Sequence, residues 1–294
     1  MSHQPSTKRA GGLRVLPMAT SAEVARVRVV ALEGGGLVER DDWVVVEEPL
    51  EIRAGGPGQA PVSVAVTMRT PGHDFELAVG FLRAEGLIDS RERLAAPDHS
   101  GLDLLEDRAC NVVHVSMTGA FDGSSLTRHF AATSSCGLCG KSTLDQVEAR
   151  CGPVAPGPVV TGSVIVGLPK ALRASQTAFD RTGGLHAAGL FDAEGRLLMV
   201  REDVGRHNAV DKLIGRALLD DLLPLDGHIL LVSGRTSFEI LQKAAVAGVP
   251  IVAAVSAPSS LAVSTADRLG ITLIGFLRGS SFNVYTHPGR IDEG

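Results

Sequence analysis

The sequence has no long hydrophobic run and no large excess of one charge. Its longest apolar stretch, Ala244 to Val255, is interrupted by Gly248 and Pro250 and is shorter than the ~18 residues of a membrane-spanning helix. The basic residues 1–22 lack the apolar core of a secretory signal peptide, so we interpret them as a disordered tail. A net charge of −5 argues against a protein that coats nucleic acid. These absences predict a soluble cytoplasmic protein with neither a membrane nor a nucleic acid as partner.

Two further absences restrict the reactions that the protein could catalyse. No Walker sequence and no Gly-x-Gly-x-x-Gly lies at a predicted strand–helix junction, which argues against an ordinary ATP or NAD enzyme. The chain has only four cysteines, and because disulfides are rare in the cytoplasm these indicate thiol chemistry, a metal or packing. Apolar material is plentiful, since 44% of the residues are hydrophobic, enough for one large domain or two small ones.

The first half of the chain, residues 23–133, is predicted to be a β-rich subdomain. One helix interrupts it, starting at Asp74, a favourable N-cap residue, and ending at Gly86. Short apolar or alternating runs predict the strands, which are Trp43–Val46, Val62–Met68 and Asn111–Met117.

The second half, residues 158–287, alternates predicted strands with predicted helices. This alternation indicates parallel strand pairing with helices on both faces, a three-layer α/β domain for a nucleotide or cofactor. Between the halves, residues 134–157 are predicted to form a mobile Cys-x-x-Cys segment, a short helix and a linker, and residues 288–294 a tail. The predicted strands are 163–166, 185–191, 196–200, 229–232, 251–255 and 271–276, and the predicted helices are 169–179, 207–222, 238–247 and 259–269.

Three strand exits in the second half share one chemistry. They are rich in small residues, hydroxyls and arginine, which let backbone N–H groups and side chains donate to an anion near a helix N-terminus. Because parallel strands end at one edge, we expect these loops to converge on a nucleotide-like ligand. The alternative is that serine and glycine cap helices and the arginines are solvated. The exits are Ser233-Gly234-Arg235-Thr236-Ser237, Ser256 to Ser260 and Leu277 to Ser281, and the loop Glu202 to Asn208 could close the same rim.

The sharpest local motif is Cys136-Gly137-Leu138-Cys139. Two thiols at this spacing can share a metal, form a disulfide or pass sulfur between them. Lys141 and the N-terminus of a helix predicted from Ser142 favour the reactive thiolate. Structural zinc usually needs a second pair of ligands at a similar spacing. The nearby candidates do not repeat that spacing, and two of them read better as packing residues: they are Cys110, Cys151, His114 and His129.

From about residue 23 to Pro288 the chain resembles the formate dehydrogenase accessory sulfurtransferase family, FdhD. The resemblance is specific because it rests on several motifs together. These are Ser135-Cys136-Gly137-Leu138-Cys139-Gly140, Thr182 to Ala188, Glu202 to Lys212, Ser233-Gly234-Arg235 and Phe276-Leu277-Arg278-Gly279.

The resemblance implies a function. Members of the family accept sulfur from a cysteine desulfurase as a persulfide and deliver it to the bis-guanine-dinucleotide molybdenum (or tungsten) cofactor of formate dehydrogenase. The resemblance implies that Cys136 is the persulfide carrier and that Cys139 is a relay or resolving thiol. It also implies that the protein is a homodimer with a fold similar to that of cytidine deaminases. The molybdenum cofactor would be bound as a substrate, and no permanent metal is expected. The implied cofactor-binding residues are Phe276, Leu277, Arg278, Gly279, Ser280 and Ser281, with Ser233, Gly234 and Arg235 added by the argument from strand exits.

Two other functions are weighed against this one. A zinc deaminase needs His-x-Glu and a later Pro-Cys-x-x-Cys. Here His186 is followed by two alanines, and Pro258 is followed by two serines, so both the metal ligands and the proton-shuttling acid are missing. His186 is then interpreted as a hydrogen-bonded structural histidine. A non-catalytic chaperone of the molybdenum cofactor stays open, since the binding residues would be the same.

Overall fold

The N-terminal part of the molecule contains a β-ribbon and a small sheet. The structure, a computed structural model, describes residues 23–95, 111–122 and 152–292. The ribbon consists of the antiparallel strands β1 (Val24–Glu33) and β2 (Gly36–Val45). Gly34 and Gly35 both have positive φ, the backbone that a two-residue type I′ turn requires. The predicted strand around Trp43 is therefore the end of a longer ribbon.

The small sheet has the strand order β4–β3–β5 and is covered by one helix. Its elements are β3 (Glu48–Gly55), β4 (Val62–Arg69), α1 (Asp74–Ala84) and β5 (Val112–Ser116). The predicted strand at β4 is confirmed, but three of its four alternating apolar residues are exposed and only Val64 is buried. A bulge in the pairing with β3 causes this, because it turns Val64 and Ala65, which are neighbours in sequence, toward the core together.

A six-stranded mixed sheet forms the C-terminal part, with the order β12–β11–β10–β9–β7–β8. Strands β9, β10 and β11 are parallel, and β7 and β12 run antiparallel to their neighbours. The elements are β6 (Val160–Thr161), α2 (Gly162–Ala174), α3 (Thr177–Thr182), β7 (His186–Phe191), β8 (Leu197–Asp203), α4 (Arg206–Leu219), β9 (Ile229–Val232), α5 (Phe238–Val246), β10 (Ile251–Ala254), α6 (Ser260–Arg268), β11 (Thr272–Arg278), β12 (Ser281–Thr286) and β13 (Ile291–Asp292).

Alternate side chains of the sheet enter two separate cores. Leu230 and Val252 pack with residues of α4, α5 and α6, whereas Ile229 and Ile251 pack with residues of α2. Since successive residues of a strand point to opposite faces, the sheet lies between two helical layers. The predicted α/β class is confirmed, and the hairpin of β7 and β8 and the strand–helix order from β9 to β11 are as predicted.

Two predictions in this region are wrong. Residues 163–166, predicted as a strand, lie in α2, and Pro169 lies within that helix instead of opening it. The β-branched run suggested a strand, but Ile165, Leu168 and Leu172 are buried at helical spacing, so packing overrides local preference. Residues 288–292, predicted as part of a tail, form a short helical turn and β13, which pairs with β6.

Glycines join the two parts of the fold. Helix α1 crosses α4 where Gly80 faces Gly215, and a Cβ at Gly80 would overlap the carbonyl oxygen of Asp211. A Cβ at Gly215 would likewise overlap the carbonyl oxygen of Glu76. Only glycine lets the two helix backbones approach this closely, so the small sheet is held against the helical layer of the large one.

Candidate functional site

The strand exits that the sequence singled out meet at one edge of the large sheet. Strand β8 pairs antiparallel with β7, which is itself antiparallel to β9, so β8, β9, β10 and β11 all run in one direction. We call the residues at their carboxyl ends, 204–207, 233–237, 255–259 and 276–279, together with His186 at the start of β7, the rim.

Backbone hydrogen bonds link the rim loops to one another. The amide of Thr236 donates to the carbonyl of Ala257 at 3.3 Å, and the amide of Ser259 donates to the carbonyl of Thr236 at 3.0 Å. The amide of Phe276 donates to the carbonyl of Ser256 at 3.1 Å. The three exits therefore form one connected surface, as the parallel pairing predicted.

The three candidates after β9 have different environments. Ser233 continues the sheet, because its amide donates to the carbonyl of Ala187 and its hydroxyl oxygen accepts from the Ala187 amide, both at 2.9 Å. Gly234 packs against the ring of His186, since a Cβ at this position would lie 3.2 Å from the His186 Nδ1. Arg235 is exposed and has no acidic partner among the residues that the structure describes.

At the end of β11, side chains alternate between the core and the rim. Leu277 is fully buried, so only its backbone can reach a ligand, whereas Phe276 and Arg278 are exposed. The Arg278 guanidinium carbon lies 5.7 Å from the centre of the Phe276 ring, and its Nε donates to the carbonyl of Val255 at 3.1 Å. Phe276 has a φ of +52°, a strained backbone of the kind found at ligand-binding sites.

The remaining residues of this segment form a tight turn. Arg278 pairs with Ser281 across β11 and β12, which leaves Gly279 and Ser280 as a two-residue loop. Gly279 has a φ of +55° at the first central position, as a type II′ turn requires. The sequence predicted neither this turn nor β12, so the strand exit expected after residue 276 is instead a tight hairpin with exposed hydroxyls.

Two histidines lie at the β8 side of the rim. Burial lowers the pKa of His186, and the nearby charges of Arg206 and His207 lower it further. His207 Nε2 lies 3.0 Å from the Ser237 hydroxyl and 3.3 Å from a carboxylate oxygen of Glu239. The hydrogen bond from His207 holds the pKa of Glu239 at about 2, so this acid stays ionised beside the imidazole.

The acids before α4 already have partners within the protein. Asp203 is fully buried and pairs with Lys212 at 2.7 Å. Its carboxylate also accepts from the backbone amide of Thr70 at 3.1 Å and from that of Gly205 at 2.8 Å. Glu202 accepts from the Phe179 amide at 3.3 Å. Sequence reasoning could not find this arrangement, because Thr70 lies far away in the chain and nothing in its local sequence marks it.

The cysteine pair, Cys136 and Cys139, lies outside the described residues, as do Cys110 and Cys151. The described chain resumes at residue 152 on the edge of the sheet opposite the rim. There the amide of Val154 donates to the carbonyl of Leu269 at 2.9 Å, next to the start of β11.

Within residues 23–95, 111–122 and 152–292, no group of three His, Cys, Asp or Glu side chains is placed to hold a metal ion. In the same ranges, no helix has the length and apolar character needed to cross a membrane.

An α/β protein whose strand exits form a connected, arginine-bearing edge of the sheet is the class that this fold and site define. Within that class, residues 45–292 match the model of the FdhD/NarQ family, and the chain belongs to this family. It is 50% identical over 272 residues to the sulfur carrier protein FdhD of Mycolicibacterium paratuberculosis, covering 91% of this chain and 98% of that one. It is 51% identical over 272 residues to the protein of the same name from Streptomyces coelicolor, covering 90% and 95%.

A solved structure supports the same assignment. The crystal structure of a Desulfotalea psychrophila protein, described as a formate dehydrogenase accessory protein, matches with a TM-score of 0.69 and 25% identity. The match covers 92% of this chain and all of that one. The fold is therefore that of the family, while similarity to cytidine deaminases stays a prediction.

Proposed function

We propose that this protein is a sulfurtransferase that carries sulfur as a persulfide on Cys136. A cysteine desulfurase donates the sulfur, and the recipient is the bis-guanine-dinucleotide molybdenum cofactor that formate dehydrogenase requires. The proposal is supported by relatives about half identical over nine-tenths of the chain, which are named sulfur carrier proteins. It places the protein in the cytoplasm as a homodimer.

One structural observation carries the binding half of the proposal, namely the strained end of β11. Phe276 is 40% exposed although it is a large apolar residue, and it adopts positive φ beside the Arg278 guanidinium. An exposed aromatic face next to a guanidinium suits a nucleotide, because a base can stack on the ring while the guanidinium donates hydrogen bonds. The hydroxyls of Ser280 and Ser281 and the backbone of Leu277 and Gly279 supply further polar groups for the cofactor.

The chemical half of the proposal is a two-step relay. The Cys136 thiolate attacks the outer sulfur of the donor's persulfide, the new S–S bond forms, and the donor thiolate leaves. In our proposal the segment that carries Cys136 and Cys139 then moves to bring the persulfide to the rim. Cys139 attacks the inner sulfur of Cys136, which releases hydrosulfide to the metal of the cofactor and leaves a Cys136–Cys139 disulfide for a cellular thiol to reduce.

Mass spectrometry of the sulfur-loaded protein tests this function. After incubation with a cysteine desulfurase and cysteine, we expect the wild-type protein to gain the mass of one sulfur atom, lost again on reduction. Cys136→Ala should lose the adduct and Cys151→Ala, the matched control, should keep it. A wild-type protein that gains no sulfur would contradict the proposal.

A cofactor chaperone without sulfur chemistry is the second candidate, and the rim supports it equally well. The double variant Cys136→Ala/Cys139→Ala separates the two functions. A chaperone would still activate formate dehydrogenase without either thiol, whereas a sulfurtransferase would not.

A further inference from the structure

Arg206, the first residue of α4, points to a binding role that the sequence did not assign. Its Nε is buried without a hydrogen-bond partner, and its guanidinium pairs with no acid among the described residues. Its side chain meets that of His186 at Gly234, because a Cβ there would lie 3.7 Å from Arg206 Cδ and 3.2 Å from His186 Nδ1. Buried donors without acceptors are rare, so an acceptor from outside the chain is indicated.

The charge around Arg206 is positive on balance, because among the described residues Arg206 and Arg235 face only one acid that has no cationic partner of its own. Asp203 is neutralised by Lys212, whereas Glu239 stays ionised and interacts with the imidazole of His207. The exposed Arg235 stands on the adjoining loop, and the N-terminus of the fourteen-residue helix α4 adds partial positive charge.

A second unsatisfied group lies in the same loop as Arg235. The Thr236 hydroxyl is buried without a hydrogen-bond partner in a residue that is only 1% exposed. This part of the rim therefore contains two buried polar atoms with unused hydrogen-bonding capacity.

This group is separate from the aromatic end of β11. Strand β10 lies between β9 and β11, so their exits are about 10 Å apart at the usual strand spacing. The intervening residues 255–259 carry no charged side chain. The rim thus has a cationic centre at Arg206 and Arg235 and a second centre at Phe276 and Arg278.

We propose that Arg206, His186 and Arg235 form a phosphate subsite, which takes the diphosphate of a nucleotide whose base lies against Phe276. The two centres match the two ends of such a ligand, because the ribose holds the base apart from its phosphates by a comparable distance. The cationic centre suits phosphate oxygens, which accept from guanidinium and imidazole N–H groups, and the aromatic ring suits the base. This subsite rests on the proposed function only in naming a nucleotide-bearing cofactor as its occupant.

Calorimetric titration of the full-length protein with three probes tests the subsite. The probes are GDP, which has both ends, guanosine, which lacks the phosphates, and inorganic pyrophosphate, which lacks the base. We expect Arg206→Gln to lower the affinity for GDP and for pyrophosphate about tenfold or more and to leave the affinity for guanosine within twofold of the wild type. Phe276→Ala should instead lower the affinity for GDP and for guanosine and leave that for pyrophosphate unchanged. Lys170→Gln, which removes an exposed positive charge elsewhere, should change none of the three affinities.

Other outcomes would overturn the subsite. Pyrophosphate binding to Arg206→Gln within twofold of wild type would place the phosphates elsewhere, and an equal loss for guanosine would indicate general damage to the rim. A thermal melt checks folding, since replacing an unpaired guanidinium should leave the melting temperature at or above that of the wild type. As a direct readout, pyrophosphate should raise the pKa of the His186 ring in NMR titrations of the wild type and not of Arg206→Gln.

The subsite and the sulfur function fail in distinguishable ways. Cys136→Ala should bind all three probes as the wild type does. If the wild type accepts no sulfur but pyrophosphate binding still depends on Arg206, the proposed sulfur transfer is wrong and the subsite is supported. If sulfur loading succeeds but pyrophosphate binding does not depend on Arg206, only the subsite is wrong.

Discussion

The crossing of α1 and α4 permits a quantitative test of the fold. In Gly215→Ala the new Cβ would lie 2.7 Å from the carbonyl carbon of Glu76. The carbonyl oxygen of Glu76 would be nearer still, at 1.8 Å, whereas atoms in contact are ordinarily more than about 3 Å apart, so the helices must separate by more than ~1 Å. The atoms in the way are backbone atoms that no rotamer change can remove, and we expect the free energy of unfolding to fall by about 1–3 kcal/mol.

A matched control is available in α2. Gly167 lies inside that helix, and a Cβ there meets nothing within 4 Å. Gly167→Ala should therefore raise the free energy of unfolding by about 0.5–1 kcal/mol, because alanine is the better helix former. The same substitution should therefore change the free energy of unfolding in opposite directions at two helical glycines. Urea denaturation followed by circular dichroism measures both changes.

The double variant sharpens the test. In Gly80→Ala the new Cβ would lie 2.6 Å from the carbonyl carbon of Asp211, on the other side of the same crossing. One separation of the helices relieves both clashes, so the double variant should cost less than the sum of the two single variants. A Gly215→Ala protein as stable as Gly167→Ala, or strict additivity of the pair, would refute this account of the interface.

Two further predictions concern pH and backbone strain. Burial raises the pKa of Glu76, but hydrogen bonds from His73 and Arg201 outweigh it and hold the pKa at about 2. The stabilisation by Glu76 should be fully present above pH ~4.5 and be lost as the pH falls toward 2. In thermal melts from pH 2 to 7, Arg201→Gln should remove much of this dependence of stability on pH. An unchanged pH profile would count against a stabilising Glu76–Arg201 pair. Phe276→Gly relieves the positive φ and removes a side chain that is 40% exposed, so the free energy of unfolding should change by less than ~1 kcal/mol. The same variant should lose guanosine binding, and a large destabilisation would instead make Phe276 a packing residue.

Local pattern predicted the strands and helices from β9 to β11 closely. Short β-branched runs separated by glycine and proline are enough to locate them, and parallel pairing then brings their exits together. The helix α2 was not predictable in this way, because Val164, Ile165 and Val166 favour a strand locally while their packing requires a helix.

The site was predictable only where it follows from strand direction. Residues 233–235 follow from the convergence of strand ends, whereas residues 276–281 are implied by the family resemblance and overlap the strand exit 277–281. The meeting of His186, Gly234 and Arg206 depends on contacts between loops distant in sequence, for which the sequence contains no signal. Asp203 illustrates the limit: it belongs to a loop that the sequence placed at the rim, whereas the structure buries it completely against Thr70 and Lys212.

The buried ammonium of Lys212 links the N-terminal and C-terminal parts of the described chain into one folding unit. It donates to the carbonyl of Thr70 at 2.8 Å and pairs with Asp203, whose other donors include the Thr70 amide. A fragment that begins after α1 would leave a cation and a carboxylate inside the protein with some of their hydrogen-bonding groups lost, at a cost of several kcal/mol. The half of the chain that carries the rim therefore does not form an independent module, and transferring it to another protein would require the N-terminal sheet as well.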